Sequence, residues 1–127
     1  MIILGHKLIP FTPLYKVTKI ENIKKTAPNS PVLFDFIDEK MLEYCKKHDI
    51  PFALHVKSIT ESCIANALGA LFIIVDYDLA QSIQPIAVEY LFDTKILVLA
   101  DDEKQIELIA KSSIDGIIFQ NAIKGEL

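Results

Sequence analysis

The sequence predicts an α/β fold: an open parallel sheet of about five strands with alternating helices, behind an extended N-terminal arm. Three observations carry that expectation. The first is the stretch from Pro51 to Asp76, where the apolar run Pro51-Phe-Ala-Leu-His-Val-Lys57 follows a turn signal and Ser58-Ile-Thr-Glu61 opens an apolar-periodic segment closing at Gly69. Phe72-Ile-Ile-Val75 comes next and stops at Asp76. Two strands apolar at nearly every position, flanking one helix, are the pattern of a parallel βαβ unit covered on both faces. The second observation is that strand and helix continue by turns on both sides of this unit. The third is composition: 51% hydrophobic residues, 24% charged residues and only 4 glycines over 127 residues indicate one folded domain without a low-complexity linker.

Residues 1 to 17 are apolar and punctuated by Gly5, Pro10 and Pro13. Proline cannot donate to a ladder, so Leu8 to Val17 reads as an edge strand or an extended arm. Lys19 to Thr26 is a short helix with Ile20 and Ile23 inward, ended by Ala27-Pro28-Asn29. Pro31 to Phe36 is a strand, and Asp38 caps a helix through Met41, Leu42 and Cys45 that ends near His48-Asp49. After the Pro51 to Lys57 strand, Ser58 and Glu61 form a capping box. Ile64, Ala65 and Leu68 give that helix a buried stripe, and Gly69 supplies a left-handed cap. Asp78 or Ser82 starts the next helix, whose regular part runs from Ser82 to Phe92 because Pro85 is tolerated only near a first turn. Lys95 to Leu99 is a fourth strand. Asp101 caps a helix with Ile106, Ile109 and Ala110 inward, and Gly116 to Phe119 is a fifth strand. Short connections of this kind make right-handed crossovers. The product is a half-barrel or a flat, flavodoxin-like doubly wound sheet, since the chain is too short for a closed barrel of eight strand-helix units.

A net charge of −4, with no basic cluster beyond Lys16, Lys19, Lys24 and Lys25, argues against a nucleic-acid partner. Cys45 and Cys63 both fall in helices, without metal-ligand spacing, and read as reduced thiols of a cytoplasmic protein. The start is charged too early for a secretory signal. The uncharged run from Ser62 to Val75 is well short of the roughly 20 residues that span a bilayer, so no membrane partner is expected.

From Pro31 to Asp76 the chain resembles 2-keto-3-deoxy-6-phosphogluconate aldolases and related phosphate-binding barrels. The shared pattern is a strand, Asp38-Glu39-Lys40-Met41-Leu42 opening a helix, and His48-Asp-Ile-Pro51 leading into the next strand. It continues with Ser58-Ile-Thr-Glu61 where the family has Thr-Pro-Ser-Glu, Ala67-Leu-Gly-Ala70, and Ile114-Asp-Gly-Ile-Ile-Phe119 near the end. The resemblance implies a barrel-type scaffold and departs from the family where the chemistry lies. Ile74 stands at the Schiff-base lysine and cannot form an imine. Asp101-Asp102 replaces the Gly-Gly turn that offers N–H groups to phosphate, and Gln120-Asn121 replaces Gly-Ser. A second resemblance is to response-regulator receiver domains, with Asp76 at the phosphoryl acceptor, Asp35 or Asp38 at the metal-binding acid, Ala100 at the switch residue and Gln120 in place of the lysine.

Ligands of parallel α/β sheets bind at the carboxyl ends of strands, which directs attention to Asp35, His55, Lys57, Asp76, Asp78, Asp101 and Gln120. Asp35, Asp76 and Asp78 are the oxygen donors a magnesium site would use, but aspartates so placed are more often helix caps. His55 and Lys57 share one side by the period of two, as a base and an electrophile would, or as a core histidine beside a lysine reaching water. His6 and Lys7 follow Leu4 in similar fashion. No cofactor, metal or catalytic residue is assigned. The expected function is that of a non-catalytic, barrel-derived domain acting through self-association, as a homodimer, or through a protein partner. The alternatives are a small-molecule-binding protein or lyase-like enzyme with its site at the strand ends, and a degenerate receiver-like signalling domain.

Overall fold

In the computed structural model, which describes residues 1–26, 30–36 and 38–125, strand and helix alternate through most of the chain. The order is β1 (Ile2–Leu4), β2 (Leu14–Lys16), α1 (Ile20–Lys24), β3 (Val32–Asp35), α2 (Glu39–Lys47), β4 (Phe52–His55) and α3 (Ile59–Ala67). It continues with β5 (Phe72–Val75), α4 (Tyr77–Glu89), β6 (Lys95–Ala100), α5 (Gln105–Lys111), β7 (Gly116–Phe119), a 3₁₀ turn (Gln120–Ala122) and β8 (Ile123–Lys124). All eight strands lie in one sheet, ordered β1-β7-β6-β5-β4-β3-β2-β8, and every pairing is parallel.

That order forces the sheet to curl. In a flat sheet, the distance from β7, second from one end, to β8, at the other end, would be about 30 Å at ~4.8 Å per strand spacing. The three-residue turn between them reaches only about 14 Å fully extended. The sheet is therefore an open, strongly curled half-barrel, and the flat, flavodoxin-like alternative does not form. No ladder joins β1 to β8 among the described residues. Their ends are instead held together by the chain at the turn, where the Asn121 amide donates to the Gly5 carbonyl at 3.3 Å.

The alternation of side chains divides the core in two. Leu14, Leu33, Ala53, Ile74, Leu97, Ile118 and Ala122 cluster on the concave side, with Ile2, Leu4, Phe11, Phe72 and Ile123 against them. The other parity, including Val32, Phe34, Leu54, Ile73, Val75, Ile96, Val98 and Ile117, packs against the helices with Met41, Cys45, Ala65, Ile83 and Ile109. Each core strand is apolar along its buried length because both of its faces are covered, with Asp35, His55 and Lys95 only at strand ends.

Several expectations need correction. The sheet has eight strands rather than five; β1 and β8 carry too few residues to stand out in sequence. Of the Leu8 to Val17 segment only Leu14–Lys16 form a strand, β2, which lies between β3 and β8 rather than at an edge, while residues 8–13 form no strand. The helix stop at Ala27 to Asn29 lies outside the described residues. Helix α4 begins at neither Asp78 nor Ser82: the Asp76 carboxylate accepts the Leu79 N–H at 2.8 Å and starts the helix earlier, leaving Pro85 inside it. Pro85 is on the exposed side, where water can meet the carbonyl that loses its partner. Asp101 does not cap α5. The Gln105 side chain accepts the Asp101 and Asp102 N–H groups, and the Asp102 carboxylate accepts that of Lys104. In α3, Ile64 is 43% exposed and Ser62 and Ala65 are buried, while Cys63 and Ala110 also face outward.

Four helix ends share one geometry. After α2, α3, α4 and α5 a residue with positive φ (Asp49, Gly69, Leu91 and Ser113) turns the chain, and the following N–H returns to the helix. The bonds run from Ile50 to the Cys45 carbonyl, Ala70 to Ala65, Phe92 to Ala87 and Ile114 to Ile109. This is the Schellman arrangement, with its apolar contact at every repeat. Only Gly69 is a glycine.

Candidate functional site

The register places Asp35 beside His55, and His55 beside Ile74, at the carboxyl ends of β3, β4 and β5. Asp35 and His55 have the parity of Leu33 and Ala53, so both look to the concave side, one layer beyond its apolar core. His55 Nδ1 lies 3.6 Å from Asp35 Oδ1, with side chains 41% and 60% exposed. That separation is too long for a hydrogen bond and becomes an ion pair when the imidazole is protonated.

A second histidine–carboxylate pair stands on the same rim. His6 Nε2 is 2.9 Å from Glu103 Oε2, and the Leu8 N–H donates to His6 Nδ1 at 3.2 Å. With Nδ1 accepting, the proton of the neutral ring sits on Nε2 and points at the carboxylate. Only 15% of the His6 side chain is exposed, against 69% for Glu103. The pair forms one wall of a crevice of about 350 Å³, lined also by Gly5, Lys7, Ala100, Asp101, Phe119, Gln120 and Asn121, at the ends of β1, β6 and β7. Here two positions taken from the strand-end rule, Asp101 and Gln120, meet two residues that carried little weight in sequence, His6 and Lys7.

The remaining residues go elsewhere. Asp76 is exposed and spends its carboxylate on the α4 cap. Asp78 is exposed in the first turn of that helix. Asp38 accepts the Met41 N–H at 3.1 Å and caps α2. Lys57 is exposed, and its backbone N–H donates to Glu61 Oε1 at 3.0 Å while Ser58 Oγ accepts the Glu61 N–H at 3.1 Å. The return bond of the capping box thus reaches the residue before the cap. His55 lies beside Asp35, Asp76 caps α4, and Lys57 is joined to Glu61 through its backbone. Among the described residues, no three His, Cys, Asp or Glu side chains are placed to hold a metal ion. No described helix is long and apolar enough to cross a membrane.

Among the described residues, the thiol of Cys45 is the one group held well away from its ordinary range, pushed up to about 11 by its burial on the inner face of α2. Ile74, at the position where the aldolase resemblance would need lysine, is 1% exposed inside the concave core. Comparison with protein-family models finds no match, and comparison with curated proteins finds none either.

Proposed function

We propose that this chain is a non-catalytic, barrel-derived α/β domain that acts through self-association, most simply as a twofold dimer. The observation that carries the reading is Leu91. It is 83% exposed and has a φ of 53°, a conformation costing a leucine about 1 to 2 kcal/mol that glycine adopts freely. Val88 and Tyr90 beside it are 64% and 74% exposed. The backbone angle belongs to the α4 cap, but a leucine exposed there beside Val88 and Tyr90 makes an apolar patch that a partner surface would cover. The Asp76 carboxylate is taken up by the α4 cap, which fits a binding role better than a catalytic one.

Light scattering at micromolar concentration is expected to give a mass near twice the 14.3 kDa of one chain. Leu91→Gly should both raise the folding stability, by about 1 kcal/mol, and shift the mass toward that of one chain. A wild-type mass of one chain would overturn the reading. The crevice at His6 and Glu103 favours a second reading, a polar small molecule bound at the strand ends. A shift of the His6 ring signals on titration with small carboxylic and phosphorylated metabolites would support it.

A further inference from the structure

At the amino ends of the strands, opposite the rim just described, the concave side opens into a cavity of about 640 Å³. We infer that this cavity is a binding site for an uncharged, largely apolar small molecule.

Leu4, Phe11, Leu14 and Phe72 line the cavity from the concave core, and Leu71 with Pro10, Pro31 and Pro51 forms the margin. Among the described residues, none that lines it is charged, and Thr12 brings the single side-chain hydroxyl. Much of the backbone on the β3, β4 and β5 side is already engaged. Three of the lining residues are prolines, which have no N–H. The Pro31 carbonyl accepts from Tyr15, the Pro51 carbonyl from Val32, and Leu71 donates to Phe52 and accepts from Lys95. A charged or strongly hydrogen-bonding ligand would exchange its water here for few protein partners, which opposes its binding. A hydrocarbon or aromatic ligand gives up no hydrogen bonds on entry and gains the apolar area it covers. The volume lies within the roughly 300 to 1,000 Å³ of small-molecule pockets.

The site is independent of the proposed dimer surface: none of its lining residues belongs to α4 or to the turn at Leu91. The test is titration of the intact chain with 1-N-phenylnaphthylamine, an uncharged fluorophore that brightens in apolar surroundings. The expected result is a saturable rise with one probe per chain. Thr12→Trp, which fills the mouth from an exposed position, and Leu71→Arg, which brings a charge to its margin, should each weaken binding roughly ten-fold or more. Far-UV circular dichroism establishes that each variant is folded, and either one suffices if the other is not. Leu91→Gly should bind as wild type does, whatever its mass. The absence of a saturable rise, equal binding by the folded cavity variants, or a loss of binding in Leu91→Gly would each overturn the assignment.

Discussion

Ser58 begins α3 with β-region backbone angles and an oxygen aimed at the Glu61 N–H. Removing that oxygen leaves a helix-start donor without its partner. Ser58→Ala should therefore lower stability by about 0.5 to 2 kcal/mol and Ser58→Gly by less, read from urea midpoints. An unchanged midpoint would show that water replaces the cap at no cost. The two cysteines should separate by chemistry. Cys63 is exposed, whereas Cys45 is 1% exposed with its pKa raised from 9.0 to about 11. A folded-state pKa above the unfolded one means that the proton is held more tightly in the native protein. The associated stability is complete below pH ~9 and is lost as the pH rises through about 11. At pH 8, Ellman's reagent should label one thiol per folded chain and two after denaturation; prompt labelling of both in the native state would contradict the burial of Cys45.

Between elements, the most consequential contact joins α4 to the beginnings of β6 and β7. Asp115 accepts from the Gln84 side-chain amide at 3.1 Å and from the Ile96 N–H at 2.9 Å, and its own N–H donates to Gln84 Oε1 at 2.9 Å. Gln84 is buried, so Asp115→Ala would leave an amide and a backbone N–H unpaired away from water. A loss of about 2 to 4 kcal/mol in urea unfolding is expected, with Asp115→Asn less affected. Nothing in the sequence announces this contact, because Asp115 and Gln84 meet only through the fold. By contrast, β3 to β7 were legible as unbroken apolar runs, and the α2 and α3 caps were legible because Asp38 and Ser58 act within their own helix starts. The helix ends were legible only at Gly69. Asp49, Leu91 and Ser113 turn the chain in the same way without the residue type that signals it.

At the scale of the whole molecule, the strand-end rule brought Asp35 and His55 to one rim, because registry between consecutive parallel strands follows from their pattern. It did not bring His6 to Glu103, residues that meet only because the sheet curls. The curl also depends on one missing side chain: a Cβ at Gly116 would collide with the Ile2 carbonyl and lie 2.8 Å from Leu97 Cδ2, which permits β1 to dock against β7. This arrangement sets an order of events in folding. From β3 to β7, each strand pairs with its neighbour in sequence across a single helix, and such contacts close cheaply. The β1–β7 and β2–β8 ladders join opposite parts of the chain and repay their loop closure only once the intervening strands are in place. Truncation of Ile3 in β1 or Ile123 in β8 to alanine should thus accelerate unfolding and leave the refolding rate nearly unchanged in stopped-flow experiments. Ile73→Val, in the centre of the sheet, should slow refolding. The last ladders to form are also the first to open, and β1 and β8 should exchange their amide protons through excursions that leave β4 to β6 intact.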